Sequence, residues 1–402
     1  MFILAATRTP FYEIGGELSP LSASDLGRAV VSSLLLKTGI DPAEISEVIF
    51  GCAYPPIESA NIARSIALRA GIPGHVPAST VQRNSASGLE ALTSAHQRIA
   101  AGQGELFLVG ATESMSNIPL LFPNEAALHF ADLSRAKSSG QKLSAAANFN
   151  LSDFRPKSGL EMTQRDLFTG KTSVEIAEKL ARESGISKTD QDNYAAESRA
   201  KAESSRMALS GEICPVFING TAIQHDSPSN PPDESDSSFG PTSQSVTHSN
   251  SCQNADGAVA FLVGTEAVAQ RLGLDPLGRV ATYAYAGCDP LAPDLGPLAA
   301  IERAKQLSGL TPDSADLIEI HEAFAVQALA IISALEDLGY EVPAEKINRH
   351  GGSIAFGHPT SASGPRMILS ALGQLRENTT SRALVTTSIS GGQGAAIYLE
   401  KP

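Results

Sequence analysis

A chain of 402 residues with 42% hydrophobic and 18% charged residues is long enough for two or three packed units with cores of their own. Its formal net charge of −13, with no Lys/Arg cluster, excludes a phosphate-backbone partner such as nucleic acid, although a helix N-terminus can still hold an anionic group locally. Trp is absent and aromatics make up only 5%, which argues against a stacking surface for bases or sugars.

The first residues, "MFILAATRTPFYEIGG", lack a basic stretch followed by a long apolar run, so no signal peptide is expected. No apolar run is long enough to span a bilayer, and a cytoplasmic protein is expected. "FILAAT" and "EVIFGCA" read as strands; "ASDLGRAVVSSLLLKTG" reads as an amphipathic helix stopped by Gly39. "TVQRNSASGLEALTSA" reads as a buried strand, a tight turn with Ser85 at its corner, and a helix that runs to Gly102. "ELFLVGATESMS" is a further buried strand entering a Gly/Ser turn. Strands alternating with helices predict an α/β unit with a parallel sheet.

From about residue 117 to 244 the texture changes. "SRAKSSGQKLSAAANFNLSDFRPKSG" is polar and irregular, "SVEIAEKLARESGISKTDQDNYAAESRAKAESSRMALSG" is two charged helices, and "QHDSPSNPPDESDSSFGPTSQ" predicts an exposed loop. The α/β texture then returns and repeats itself. "NSASGLEAL" recurs as "PTSASGPRMILSAL" and "LFLVGATES" as "ALVTTSISG"; Gly88 to Gly364 and Val109 to Val385 are both 276 positions apart. Short α/β units resemble one another by chance, but a shared offset favours duplication. The predicted organisation is a first half (1–117 and 245–266), an inserted loop domain (118–244) and a second half (267–402).

The four cysteines, Cys52, Cys214, Cys252 and Cys288, form no C-x-x-C pair and have no histidine at ligand spacing. No metal is expected, and isolated thiols suit a reducing compartment.

Four segments carry the chemistry: "TVQRNSASGLEAL" with Ser85, "IHEAFA" with His321 and Glu322, "GGSIAFGHPTSASG" with His358, and "LVTTSISGGQGAA" with Ser388. With "ATRTPF", "NIARSIALRAGIP", "GATESMS" and "NADGAVAFLV", in that motif order, the chain resembles the thiolase family from end to end. The forms "HEAFA", "GGSIAFGHP" and "GGQGAA" look closest to the β-subunits of fatty-acid oxidation complexes.

The resemblance implies a five-layered αβαβα thiolase fold from two duplicated halves, a loop domain over coenzyme A, and a dimer or heteromeric complex. It implies an acyl thioester of coenzyme A or a carrier as substrate, and no covalently bound cofactor. In thiolases the turn after "TVxR" carries a nucleophilic cysteine, the GHP histidine activates it, and a second cysteine in the last glycine-rich motif moves the substrate α-proton. Those positions fall on Ser85, His358 and Ser388. His321 falls on the residue that holds a water at one oxyanion site, and Gly391 and Gly392 are the expected backbone donors of the other. Ser251 and Cys252 are the candidates for binding the cofactor.

The departures from the pattern set the alternatives. A hydroxyl has no standing alkoxide population near neutral pH, so Ser85 needs His358 to remove its proton during attack. Ser388 is a poor substitute for a group that exchanges protons at working pH. Ser361 stands in "GHPTS" where the family has glycine, and the Met-Gly of the loop domain is missing from "SVEIAEKLA". Several departures around one site fit natural divergence better than an engineered pair of Cys-to-Ser changes. Each residue also has a plainer reading. Ser85 would be a small residue in a tight turn, His358 a histidine satisfied by backbone, Ser388 a hydroxyl that only hydrogen-bonds, Cys252 an inert thiol rather than a relocated nucleophile, and His248 a loop residue rather than a base. Glu322 is expected to tie loops near the site.

The expected function is a thiolase-like acyltransferase using a Ser85–His358 pair outside ordinary Claisen chemistry. The alternatives are a ketothiolase-like acetyl-CoA C-acyltransferase of reduced activity, and a non-catalytic subunit that binds acyl groups or an active partner.

Overall fold

The computed structural model describes residues 1–227, 244–377 and 380–402, so most of the loop expected at 224–244 lies outside the described residues. The described chain forms two compact units, 1–117 with 174–402 and 118–173.

In the first unit, β1 (Phe2–Arg8), β2 (Glu47–Gly51), β3 (Ala78–Val81), β4 (Leu106–Ser114) and β5 (Ala255–Gly264) make one half-sheet; β6 (Gly278–Gly287), β7 (Leu317–Ile320), β8 (Arg382–Ile389) and β9 (Gln393–Glu400) make the other. The order is β7-β8-β9-β6-β1-β5-β4-β2-β3. The two half-sheets pair where Phe2 meets Arg279 and Ile3 meets Gly278. In each half a parallel pair (β2 with β4, β7 with β8) is followed by two antiparallel pairings (β4–β5–β1, β8–β9–β6).

The helices repeat the scheme. α1 (Ala23–Thr38), α2 (Ile62–Arg69) and α3 (Ser87–Ala100) belong to the first half. α4 (Ser173–Ser184) and α5 (Lys188–Leu209) come next, and α6 (Gly296–Ser308), α7 (Ala325–Asp337) and α8 (Ser363–Leu375) belong to the second half. α3 and α8 start 276 positions apart, as do β4 and β8, so the offset read from the sequence is the offset of the structural repeat. α1 starts where Ser22 and Asp25 form a capping box and stops at Gly39, whose φ of 65° suits glycine.

Strand alternation builds the layers. Leu106, Leu108 and Leu262 face α1 and α2 on one side of the first half-sheet. Phe107, Val109 and Phe261 face inward, where Leu89 and Leu92 of α3 meet Met367 and Ile368 of α8 and Val385 and Ile397 of the second half. On the far side Ile318, Ile320 and Leu384 pack on Ala300 and Ile301 of α6 and Ile331 of α7. Two outer cores and one inner core that encloses the α3–α8 layer give five layers, αβαβα, as expected from the sequence.

The segment expected as one loop domain, 118–244, divides between the two units. α4 and α5 cluster with the first: Ala195 and Ala202 of α5 are buried with Ile354 and Phe356, and Glu178 of α4 accepts three backbone N–H groups from 244–246. The second unit pairs Leu120–Leu121 with Lys157–Ser158 and clusters Phe130, Phe149 and Phe154. Its stretch read as irregular holds a helix at Ser139–Ala146, started by a Ser138–Gln141 capping box that overrides its weak apolar pattern. Among the described residues no helix is long and apolar enough to cross a membrane.

Candidate active site

Ser85 sits where β3 gives way to α3. Asn84, at φ 44°, turns the chain back, and the Ser87 hydroxyl accepts from Arg83 N–H at 2.8 Å and donates to Asn84 O at 2.6 Å. Asn tolerates this left-handed conformation better than most residues. Ser85 is 9% exposed and lies just before the helix N-terminus, where the backbone dipole favours developing negative charge.

This turn of the first half docks on the β8–β9 hairpin of the second. The Ser85 hydroxyl donates to Ser388 O at 2.8 Å, the Asn84 amide to Ser390 O at 3.2 Å, and Arg83 to the Gln393 side chain at 3.3 Å. Ser388 is half-buried near the end of β8, and its hydroxyl accepts from the Gln327 amide of α7 at 2.5 Å. Gly391 and Gly392 follow with φ of 88° and 79°. A Cβ on Gly392 would meet Cys288 O at 2.7 Å, so the hairpin needs glycine there on two counts.

His321 and His358 are in direct contact, with His321 Nε2 3.0 Å from His358 Nδ1. The Ser363 hydroxyl lies 2.7 Å from the same Nδ1. Strand β7 delivers His321, and its register with β8 lets His321 N–H donate to Thr386 O. His358 follows Gly357, at φ 82°, and its backbone is pinned by N–H donation to Gln253 O at 2.7 Å. Burial lowers the His358 imidazole to about 4. Burial first, then the neighbouring His358 and Arg366, hold His321 well below the usual histidine range. Both rings are therefore neutral at pH 7. When Nδ1 of His358 carries its proton, it donates to Ser363 or His321 and leaves Nε2 bare as a base.

Glu322 is fully buried and ties the loops around the pair. Its carboxylate accepts from Tyr194 Oη (3.1 Å), Ser198 Oγ (2.8 Å), Asn348 Nδ2 (2.6 Å) and Ile354 N (3.2 Å). Gly352 passes so close that a Cβ would overlap this carboxylate at 2.1 Å. A parallel tie sits on the other half: buried Glu113 accepts from Ala53 N, Tyr54 N, Ser361 N and Ser361 Oγ. Ser361, a departure from the expected motif, thus has a structural role of its own.

The remaining candidates lie differently. Ser251 is buried and its hydroxyl is spent on Thr247 O at 2.7 Å, so it offers nothing outward in this conformation. Burial, then the Glu322 carboxylate, push the Cys252 thiol up to about 12. A thiol so placed has almost no thiolate at neutral pH. Alkylation with iodoacetamide at pH 8 is expected to leave Cys252 unmodified in the folded protein, read by peptide mass mapping; rapid modification would restore it as a candidate nucleophile. No cluster of metal-ligating side chains occurs among the described residues.

Gln327 and Ser363 were not singled out from the sequence. Ser363 had a signal, because it is the 276-residue counterpart of Ser87 in the repeated "SASG". Gln327 is one polar residue on an apolar helix, and only the fold reveals what it faces.

Comparison with known proteins matches both halves of the chain. Residues 1–267 match the thiolase N-terminal domain model and residues 274–401 the thiolase C-terminal domain model. An acetyl-CoA acetyltransferase of Syntrophomonas wolfei is 34% identical over 99% of this chain and 98% of its own length. One of Pseudomonas aeruginosa is 35% identical with the same coverage. The structure of human mitochondrial 3-ketoacyl-CoA thiolase in complex with CoA superposes with a TM-score of 0.86 at 29% identity, covering 100% of this chain and 98% of that one. None of these three bears the name of a fatty-acid oxidation β-subunit.

Proposed function

The chain belongs to the thiolase family, and from that premise we propose that it is an acyltransferase acting on acyl-CoA thioesters, with Ser85 as acyl acceptor and His358 as its base. The observation that carries this reading is the His321–His358 pair, two imidazoles in direct contact and held neutral by burial. The names of the relatives favour a ketothiolase-type reaction over the expectation of a chain outside Claisen chemistry. We therefore take the reaction to be that of an acetyl-CoA C-acyltransferase with reduced carbon–carbon activity.

In the acylation step the Ser85 hydroxyl leaves the Ser388 carbonyl and gives its proton to His358 Nε2 as Oγ attacks the thioester carbon. The C–S bond breaks, the CoA thiolate takes the proton back, and an oxyester remains on Ser85. The N–H groups of Gly391 and Gly392 are the proposed donors to the oxyanion. Ser388 limits the second half-reaction: its hydroxyl is held by Gln327 and does not exchange protons near pH 7, so removal of an α-proton is slow. Deacylation by water or a thiol needs no such step.

The test is the rate of CoA release from acetyl-CoA. His358→Ala is expected to lower it by about 10²- to 10⁴-fold, the usual worth of a positioned general base. A variant as fast as the parent would contradict the role of His358. The hydrogen bond from Ser85 to the Ser388 carbonyl favours a second reading, a chain that binds acyl-CoA without turnover. Tight CoA binding with no release by any form would select it.

A further inference from the structure

Behind the histidines lies a polar seam in the central layer. Glu319 and His321 are two residues apart on and just beyond β7, so both side chains face the same way, about 6.6 Å apart along the strand. They face α8, where Arg366, Ser370 and Gln374 form one stripe at helical spacing. Ser370 Oγ donates to Glu319 Oε1 at 3.1 Å and Gln374 Nε2 does so at 3.3 Å. Arg366 Nη2 stands 3.9 Å from Glu319 Oε2, with its guanidinium over the Phe356 ring at 4.8 Å.

The seam is only half satisfied by protein. Arg366 is 1% exposed, yet its Nε, Nη1 and Nη2 have no hydrogen-bond partner; neither do Glu319 Oε2 and His321 Nδ1. A structural ion pair in a dry core closes to a direct bidentate contact, because an unpaired buried charge is costly. A guanidinium held off at 3.9 Å, with its three nitrogens, Glu319 Oε2 and His321 Nδ1 all unpaired, is the arrangement of a pair bridged by ordered water.

We propose that Glu319, positioned by Arg366 and bridged by water to His321 Nδ1, is the buried group that receives the nucleophile's proton. This rests on the reading that Ser85 is acylated. The path runs from Ser85 Oγ to His358 Nε2, from His358 Nδ1–H to His321 Nε2, and from His321 Nδ1–H through water to the Glu319 carboxylate. Each ring takes one proton at Nε2 and gives one from Nδ1, so neither ring stays charged. Return along the same path delivers the proton to the CoA thiolate as the C–S bond breaks. The relay explains how two imidazoles that resist protonation can serve a base's role.

The charged and titratable groups bearing on Glu319 are Arg366, which favours its carboxylate, and Glu322, which opposes it; His321 shares its strand face. Burial outweighs these and raises the Glu319 carboxyl to about 7. The acceptor must be ionised, so acylation should fall as pH drops through about 7. His358, near 4, cannot produce that limb.

The experiment follows acyl-enzyme formation from acetyl-CoA by rapid quench and intact mass between pH 5 and 9, for the parent, Glu319→Gln and Glu319→Asp. The relay predicts a limb near neutrality in the parent, its loss in Glu319→Gln with acylation at least about tenfold slower at pH 8, and its return in Glu319→Asp. A Glu319→Gln profile that keeps the limb would overturn it. Infrared titration of the parent is the second measurement: a protonated carboxyl band should fade near pH 7 and shift in Ser370→Ala, which removes a donor to Glu319. No such band overturns the relay whatever the kinetics. Absence of any adduct in the parent, with the band present, would refute acylation of Ser85 and leave the buried proton store standing.

Discussion

Ser85→Cys is expected to raise the rate of CoA release from acetyl-CoA by at least about tenfold, because a thiol is the stronger nucleophile and gives up its proton during attack far more readily than a hydroxyl does. The site is built to accept the change. Ser85 closes a turn whose shape is fixed by Asn84 and Ser87, not by its own hydroxyl. Its one hydrogen bond goes to the Ser388 carbonyl, and a thiol gives that up at little cost. Adding Ser388→Cys should raise carbon–carbon thiolysis further, since that position then holds a group able to exchange the α-proton. Steady-state assays of the single and double variants with acetyl-CoA and a 3-ketoacyl-CoA read this directly. A Ser85→Cys protein no faster than the parent would mean that nucleophilicity at residue 85 does not limit the reaction.

Glu322→Ala is expected to cost about 3 kcal/mol or more of stability, read as a lowered urea midpoint. The change strands Tyr194 Oη, Ser198 Oγ, Asn348 Nδ2 and Ile354 N in a buried site without their acceptor. Each such group costs about 1–3 kcal/mol when left unpaired, and relaxation recovers part of the total. Glu322→Gln keeps the volume and one acceptor oxygen, so an intermediate loss is expected. Stability equal to the parent in Glu322→Ala would show that the carboxylate does not hold these loops together.

The sequence carried the layers well, for a physical reason. Continuous apolar runs such as "LFLVG" bury both faces in a sheet covered on both sides, and the shared 276-residue offset follows from a second half that repeats the first. Gly39 and the Ser22–Asp25 box marked a helix at both ends. The middle was harder to read. The packing of α5 beside 352–356 depends on contacts between segments about 150 residues apart, and no local pattern encodes those. Within the site, Ser85, His321, His358 and Ser388 stood out because they occupy motif corners. Gln327, Ser363, Glu319 and Arg366 did not, because a polar residue on a buried helix or strand face has no meaning until its partner across the layer is known. Ser251 illustrates the reverse: it looked available for binding in the sequence, and its hydroxyl is turned to Thr247.

The most direct test of a serine acyl-enzyme is the intact mass of the protein after brief exposure to acetyl-CoA, with the modified peptide mapped. A Ser85 acyl-enzyme should carry one acetyl group on the peptide containing Ser85, absent in Ser85→Ala and strongly reduced in His358→Ala. An acetyl group that persists in Ser85→Ala, or a parent protein that binds CoA and is never acylated, would contradict it.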